Sequence, residues 1–210
     1  MSHPFEDSEA LQRRTYEVYQ KHADAWDRRR RRLMEGRWLE RVALSIPPPG
    51  PILDVGCGSG RPIAAYFIDR GYQVCGVDFA PAMLRIARKR WPEHRWQQLD
   101  MRTLQLDRTF GAVVAWNSFF HLNADEQRQA LPKLAAHVAS GGVLLMTIGD
   151  RAGEVVGTVE GDAVYHASLD PSAYRTILDT CGLSVVSIVL RDPECGDHSI
   201  LLAVRSSDQT

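Results

Sequence analysis

The chain is poor in the features that mark several large classes of protein. It has four cysteines in 210 residues: Cys57, Cys75, Cys181 and Cys195. They lie far apart, with no C-x-x-C pair and no histidines at zinc spacing, which argues against a structural zinc site or a disulfide scaffold. They read as reduced thiols in a cytoplasmic protein. No stretch approaches the roughly 18 consecutive apolar residues of a membrane span, and the polar, acidic N-terminus does not read as a secretory leader. Net charge is −1, from 25 basic and 26 acidic residues, so the overall basic footprint of a nucleic-acid-binding protein is missing. No internal repeat is visible, and the one low-complexity segment is Arg28–Arg32. Residues 1–45 hold ten Lys or Arg against eight Asp or Glu, a balance of +2. The arginine run therefore reads as a solvated helix face, with the alternative that one arginine turns inward to hold an acceptor carboxylate.

What is present is an alternation of strands and helices. Residues 8 to about 45 read as helical, with Leu11, Tyr16, Tyr19, Ala23 and Trp26 at three- to five-residue steps, and Pro47-Pro48-Pro49-Gly50 ends that region. Strands are expected at 51–55, 73–77, 95–99, 111–116 and 143–148, with helices at 61–70, 81–90 and 123–139 between them. Such alternation predicts a parallel sheet covered on both faces. Pro81 suits a first helical turn, Asn123 with Glu126 makes a capping box, and Gly141-Gly142 is expected to close the helix that begins there. Past residue 150 the pattern changes to a β-hairpin around Glu160-Gly161-Asp162. A short helix from Asp170-Pro171 to Gly182 follows, then two runs, 183–190 and 199–205, whose short connection demands antiparallel pairing.

The most informative segment is Leu53-Asp54-Val55-Gly56-Cys57-Gly58-Ser59-Gly60-Arg61. It reads as a strand, a tight glycine turn and a helix start, the way parallel α/β sheets build nucleotide sites. Glycine permits positive φ and close approach of a ligand, and the turn's N–H groups are expected to face that ligand. A dinucleotide fingerprint needs its third glycine at position 61, which is Arg61, so the pattern is D-x-G-x-G-x-G. This resembles the first motif of the class I S-adenosylmethionine-dependent methyltransferases, and the resemblance runs from about Tyr16 to Arg205.

The resemblance implies a Rossmann-like, doubly wound α/β fold. Its seven-stranded sheet is mostly parallel with an antiparallel C-terminal strand, in three α/β/α layers. Residues 1–210 then form one domain: a helical cap (1–46), a cofactor core (51–150), a hairpin insertion (151–169) and a C-terminal helix with antiparallel strands (170–205). S-adenosyl-L-methionine is the implied cofactor, with no metal. It would be held by Asp54, Gly56, Gly58, Gly60, Asp78, Phe79, Met83, Asp100, Met101, Trp116 and Asn117. Asp78 follows Asp54 by 24 residues, near the spacing at which an acid meets ribose hydroxyls; its alternative is a turn residue before Pro81. Phe79 and Met83 read as adenine contacts or as core, Asp100 as an adenine contact or a turn residue, and Trp116 as lining the methionine part or as core.

His121, in Asn117-Ser118-Phe119-Phe120-His121, is implied as a general base or acceptor contact, or else a structural histidine at a helix start. Tyr19 and His166 complete the candidate catalytic set. Tyr16, His22 and Trp26 are placed with Tyr19 over the pocket, and Glu194, Asp197 and His198 are candidates in a following loop. Asn117 lacks the following prolines of nucleobase amino-methylating enzymes, so the expected acceptor is a small molecule and not a nucleic acid or membrane. Two other readings stand beside this one: a non-catalytic cofactor-binding module, and a nicotinamide-dependent oxidoreductase, which the glycine spacing disfavours. The residues carry no sign of oligomeric state.

Overall fold

The computed structural model describes residues 8–30 and 34–207. Three helices come first, α1 (Ser8–Lys21), α2 (Ala23–Arg29) and α3 (Gly36–Ser45), where the sequence suggested one helical region. The first break is at His22, whose φ of −105° and ψ of 15° leave the helical region. Its side chain is drawn to Asp162, Nε2 to Oδ2 2.6 Å. Arg31 and Arg32 lie outside the described residues.

The core alternates β1 (Pro51–Val55), α4 (Ile63–Ile68), β2 (Gln73–Asp78), α5 (Pro81–Arg90), β3 (Arg95–Gln98), β4 (Phe110–Ala115), α6 (Ala124–Ala136) and β5 (Val138–Ile148). Then come the hairpin β6 (Gly153–Val159) and β7 (Asp162–Ser168), α7 (Pro171–Thr180), β8 (Leu183–Asp192) and β9 (His198–Arg205). The main sheet has seven strands in the order β3-β2-β1-β4-β5-β9-β8. Strands β1 to β5 pair in parallel, while β9 runs antiparallel between β5 and β8.

Strand side chains alternate between the two faces, and the core divides accordingly. Leu53, Val55, Val113 and Leu144 pack with Leu131 and Leu134 of α6 and Tyr174 and Leu178 of α7. Ile52, Val74, Ala112 and Leu145 pack on the other face with Trp38, Phe67 and Leu84, from α3, α4 and α5. This is the expected three-layer arrangement. The hairpin is a separate two-stranded sheet; its turn, Glu160-Gly161, takes φ of 51° and 88°, which suits a two-residue primed turn.

One helix end differs from expectation. α6 stops at Ala136, not near Gly141. His137 closes it: its carbonyl accepts from Phe110 N (2.8 Å) and its Nε2 from Leu106 N (2.9 Å). Gly141-Gly142 lie inside β5, in the register shift opposite Phe110 and Ala112. There a Cβ on Gly142 would meet Gly111 O at 2.7 Å.

Gln127, fully buried in α6, ties three segments together. Its Nε2 donates to Leu122 O and Ala167 O, both at 2.8 Å, and its Oε1 accepts from the Tyr174 hydroxyl. Gln127→Ala takes that donor from the Leu122 and Ala167 carbonyls and one partner from the Tyr174 hydroxyl, which keeps Ser168 and Leu169; urea titration should show a loss on the order of 3 kcal/mol.

Candidate active site

The carboxyl ends of β1 to β4 open onto a cavity of about 440 Å³, roofed by α1 and α2. The glycine turn forms its floor. Gly56 N and Cys57 N donate to Val77 O (2.8 and 3.1 Å), and Gly60 N donates to Cys57 O (2.9 Å). Gly58 N donates to Asp78 Oδ2 (2.7 Å). The turn's amides are therefore largely spent on stitching β1 to β2, contrary to the expectation that they face a ligand. What the turn offers is space. A Cβ on Gly56 would sit 2.2 Å from Ser118 Cβ, so that glycine is demanded by the protein itself. At Gly58, with φ of +53°, the nearest atom to such a Cβ is Met83 Sδ at 3.9 Å, and the opening faces the cavity. Gly60 packs against Trp91 and Trp96 and does not line the cavity.

Two buried carboxylates meet here. Asp78 is anchored by Gly58 N and by Ala80 N (2.8 Å). Asp54 Oδ2 is buried with no hydrogen-bond partner, as are Asn117 Oδ1 and Trp116 Nε1; all three residues line the cavity. Burial pushes Asp54 up to about 7, and the neighbouring charge of Asp78 adds to the effect. Burial likewise pushes Asp78 up to about 6, against the pull of its amide donors. Asn117 has a φ of 50°, uncommon for a non-glycine residue and typical of functional strand ends. Its amide donates to Thr147 Oγ1 at 2.8 Å.

His121 and Tyr19 form a directed chain. His121 Nδ1 lies 2.9 Å from the Tyr165 carbonyl, which can only accept. The proton is therefore on Nδ1, and Nε2 accepts from the Tyr19 hydroxyl at 2.9 Å. Burial, with a smaller contribution from His166, pulls His121 down to about 3, so it is neutral. Burial, reinforced by Asp78, pushes the Tyr19 hydroxyl well up. The Tyr165 amide in turn donates to Thr15 Oγ1 of α1 (3.0 Å). The hairpin thus fixes both the helical roof and the histidine.

The other candidates divide. Phe79 lines the cavity with its ring centroid 5.3 Å from that of Tyr16, and Met83 and Met101 line it too. Asp100 does so while paired with Arg102 through Nε (2.8 Å) and Nη2 (2.5 Å). Tyr16 and Trp26 reach the cavity; His22 and the 192–198 loop do not. His166 is also outside it, edge-to-face with Phe120 at 4.6 Å between ring centroids and lying across Gly157, so it backs His121 without facing the cleft. Arg30, from the arginine run, turns inward to line the cavity, and Gln12, Thr15 and Arg61 line it but were not singled out as site residues. The spacing of Gln12, Thr15 and Tyr19 on one helix face was a usable signal for the first two. Among the described residues, no cluster of His, Cys, Asp or Glu is placed to hold a metal ion, and no helix is long and apolar enough to cross a membrane.

Residues 52–142 match the model of a methyltransferase domain. Over that span the chain is similar to the methyltransferase-domain family. Among its relatives is the dTDP-3-amino-3,4,6-trideoxy-alpha-D-glucopyranose N,N-dimethyltransferase of Streptomyces venezuelae, 34% identical over 107 residues, 50% of this chain and 45% of the relative. Another is the trans-aconitate 2-methyltransferase of Azoarcus sp., 35% identical over 113 residues, 50% of this chain and 41% of the relative. The chain spans less than half the length of these two curated relatives. In fold it is similar to a S-adenosylmethionine-bound amino pentose methyltransferase from Micromonospora echinaspora, with a TM-score of 0.69 at 23% identity over 87% of this chain and 96% of that one. S-adenosylmethionine is the cofactor of this family. The residues present fit it: open space over Gly58, and orphaned polar atoms on Asp54, Trp116 and Asn117.

Gly58→Val should lose about 1–3 kcal/mol of stability to a β-branched residue at φ +53°, and the protein that folds should fail to bind S-adenosylmethionine or its demethylated product S-adenosylhomocysteine in calorimetry. Gly56→Ala should instead lower stability by about 1–3 kcal/mol through its clash with Ser118. The raised carboxylates also set a pH dependence. The folded apoprotein keeps protons on Asp54 and Asp78 that the unfolded chain has lost, so their contribution favours folding at low pH and fades as pH rises through 6 to 7. A cationic ligand favours the ionised pair and expels those protons. Affinity for S-adenosylmethionine should therefore rise between about pH 5.5 and 8, and that for uncharged-sulfur S-adenosylhomocysteine should rise less.

Proposed function

We propose that the chain transfers a methyl group from S-adenosylmethionine to a small-molecule acceptor. The observation that carries this reading is the meeting, in one cavity, of the open floor at Gly58, the unpartnered Asp54 carboxylate and the Tyr19–His121 pair. When bound, S-adenosylmethionine supplies an electrophilic methyl group on a sulfonium. Asp78 would hold the ribose hydroxyls with the lone pairs its amide donors leave over. Phe79, Met83, Asp100 and Met101 would line the adenine, and Asp54, Trp116 and Asn117 the methionine end.

The pair at Tyr19 and His121 orients more than it deprotonates. A neutral, buried imidazole with its pKa near 3 is a poor proton sink at neutral pH. It fixes the Tyr19 oxygen, whose remaining lone pair can accept a hydrogen bond from an acceptor N–H or O–H. Such a site suits a nucleophile with an available lone pair at neutral pH: a weakly basic or already deprotonated amine nitrogen, or a carboxylate oxygen on an acceptor whose neighbouring N–H or O–H donates to Tyr19. An alkyl alcohol would need a strong base. Relatives named for N,N-dimethylation of amino sugars and for methylation of trans-aconitate are consistent with this. The roof of Tyr16, Tyr19 and Trp26 would exclude water and place aromatic faces near the sulfonium.

Turnover of labelled S-adenosylmethionine against a panel of amines and carboxylic acids tests the reading; cofactor binding without turnover on any acceptor would favour the non-catalytic module. For His121→Ala, turnover should fall about 10²-fold through lost positioning, with S-adenosylhomocysteine affinity kept. At saturating S-adenosylmethionine, where the pH dependence of Asp54 and Asp78 no longer limits binding, the wild-type rate should show no limb from His121 near pH 6.5.

A further inference from the structure

Three side chains of α1 converge on one residue. Gln12, Thr15 and Tyr19 stand three and four residues apart, so they share a helix face. Each ends at His121 or at the strand that holds it. The Tyr19 hydroxyl donates to His121 Nε2 (2.9 Å). Thr15 Oγ1 accepts from Tyr165 N (3.0 Å) and gives its own proton to Leu11 O (3.1 Å). The carbonyl of the same Tyr165 takes the proton of His121 Nδ1 (2.9 Å). Gln12 Nε2 donates to the His121 carbonyl (3.2 Å) and to Glu126 Oε2. A carbonyl can only accept, which settles which end of the Gln12 amide is which.

These bonds have an anchor outside α1. Glu126 closes the capping box of α6 through Asn123 N (3.0 Å), and its other oxygen takes Arg102 Nη1 (2.7 Å). Gln12 thus ties α1 to a helix start that is fixed without it. The hydroxyl of Thr15 and the amide nitrogen of Gln12 are both spent, so what they contribute reaches the cavity through His121 and Tyr19. An imidazole held by Tyr19 alone is free to turn over or to exchange its tautomer. A carbonyl at Nδ1 prevents both, provided that carbonyl and the histidine backbone stay in place. Thr15 holds the first from the amide of Tyr165, and Gln12 holds the second.

Resting on the methyl-transfer reading, we propose that Gln12 and Thr15 are positioning residues for that reaction: together they fix the ring orientation and tautomer of His121, and through it the direction of the Tyr19 lone pairs that meet the acceptor. The Tyr19 hydroxyl has one proton, and where that proton points decides where its lone pairs point. A site that gains rate by alignment depends on such bonds.

Nitrogen NMR of the full chain, labelled with nitrogen-15 histidine, reads the ring directly. Seven histidines are present, and the His121 signals are those missing from His121→Ala. In the wild type they should show a protonated Nδ1 and a bare Nε2, unchanged between about pH 8 and 5. Thr15→Val leaves the Tyr165 amide without its acceptor, and Gln12→Leu leaves the His121 carbonyl without its donor. In each, the two ring signals should move toward the average of the two tautomers and titrate between about pH 5 and 7. Thr15→Ser and Gln12→Lys keep the acceptor and the donor, so they should keep the wild-type pattern. Both disrupted variants should bind S-adenosylhomocysteine within about threefold of wild type in calorimetry, while turnover on an acceptor that the wild type methylates falls about tenfold. No binding of S-adenosylhomocysteine by the wild type overturns the methyl-transfer reading itself, whatever the spectra show. A wild-type His121 pattern in folded Thr15→Val and Gln12→Leu overturns the proposal. So does an altered pattern that Thr15→Ser and Gln12→Lys share, or full turnover where the pattern is lost.

Discussion

The bond from Gly58 N to the buried carboxylate of Asp78 is the constraint on which the site depends. It ties the glycine turn after β1 to the end of β2, while the other carboxylate oxygen takes Ala80 N and sets the start of α5. One side chain thereby fixes the floor of the cavity and the helix beside it. The arrangement has an electrostatic consequence. Asp78 is buried next to Asp54, whose outer oxygen has no hydrogen-bond partner. Two such groups resist ionising together: burial raises both carboxyl groups, and the charge of Asp78 raises Asp54 further; a cation placed between them would favour the ionised pair.

The roof is built from the opposite side by chain segments far apart in sequence. Thr15 of α1 takes the Tyr165 amide, and the Tyr165 carbonyl takes His121. Gln20 accepts from Ala82 N (2.7 Å), and Asp27 receives both Nη atoms of Arg90 (2.9 and 2.7 Å), which also reaches Ser59 O (3.1 Å). The helices α1 and α2 are short and largely polar, and isolated helices of this length are marginal in water. They stand because these contacts hold them to α5, the hairpin and the glycine turn. Anything that loosens the Asp27–Arg90 pair therefore acts on the cofactor floor as well as on the roof.

The parts legible in the sequence were those set by local chemistry. The glycine turn, the Pro81 helix start, the Asn123–Glu126 capping box and the Glu160-Gly161 hairpin each depend on a few adjacent residues, and each stands where it was read. The strand alternation fixed the layers because buried parallel strands show as apolar runs. What eluded the sequence depended on tertiary partners. His22 breaks the first helix because Asp162 waits 140 residues away. Gly141-Gly142 look like a helix stop but serve a register shift against β4. His166 has the right residue type and the right neighbourhood, yet its side chain lies across Gly157 and behind His121. In the same way the turn's amides, which in isolation point to a ligand, are consumed by Val77 and Asp78.

The division of labour within the cavity follows from which groups are already satisfied. His121 uses both ring nitrogens, on Tyr165 and Tyr19, and is held neutral by burial. Asp100 is occupied by Arg102. Asp54, Asn117 and Trp116 keep atoms that are unpaired among the described residues. A site whose histidine is committed to holding a tyrosine in place has little capacity to remove a proton early in the reaction. It gains rate by fixing the angle and distance between two bound molecules, a contribution that can reach several orders of magnitude. Positioning of that kind needs anchors at both ends. The carboxylates of the floor and the Tyr19–His121 pair of the roof face one another across the cavity, where they could serve as such anchors.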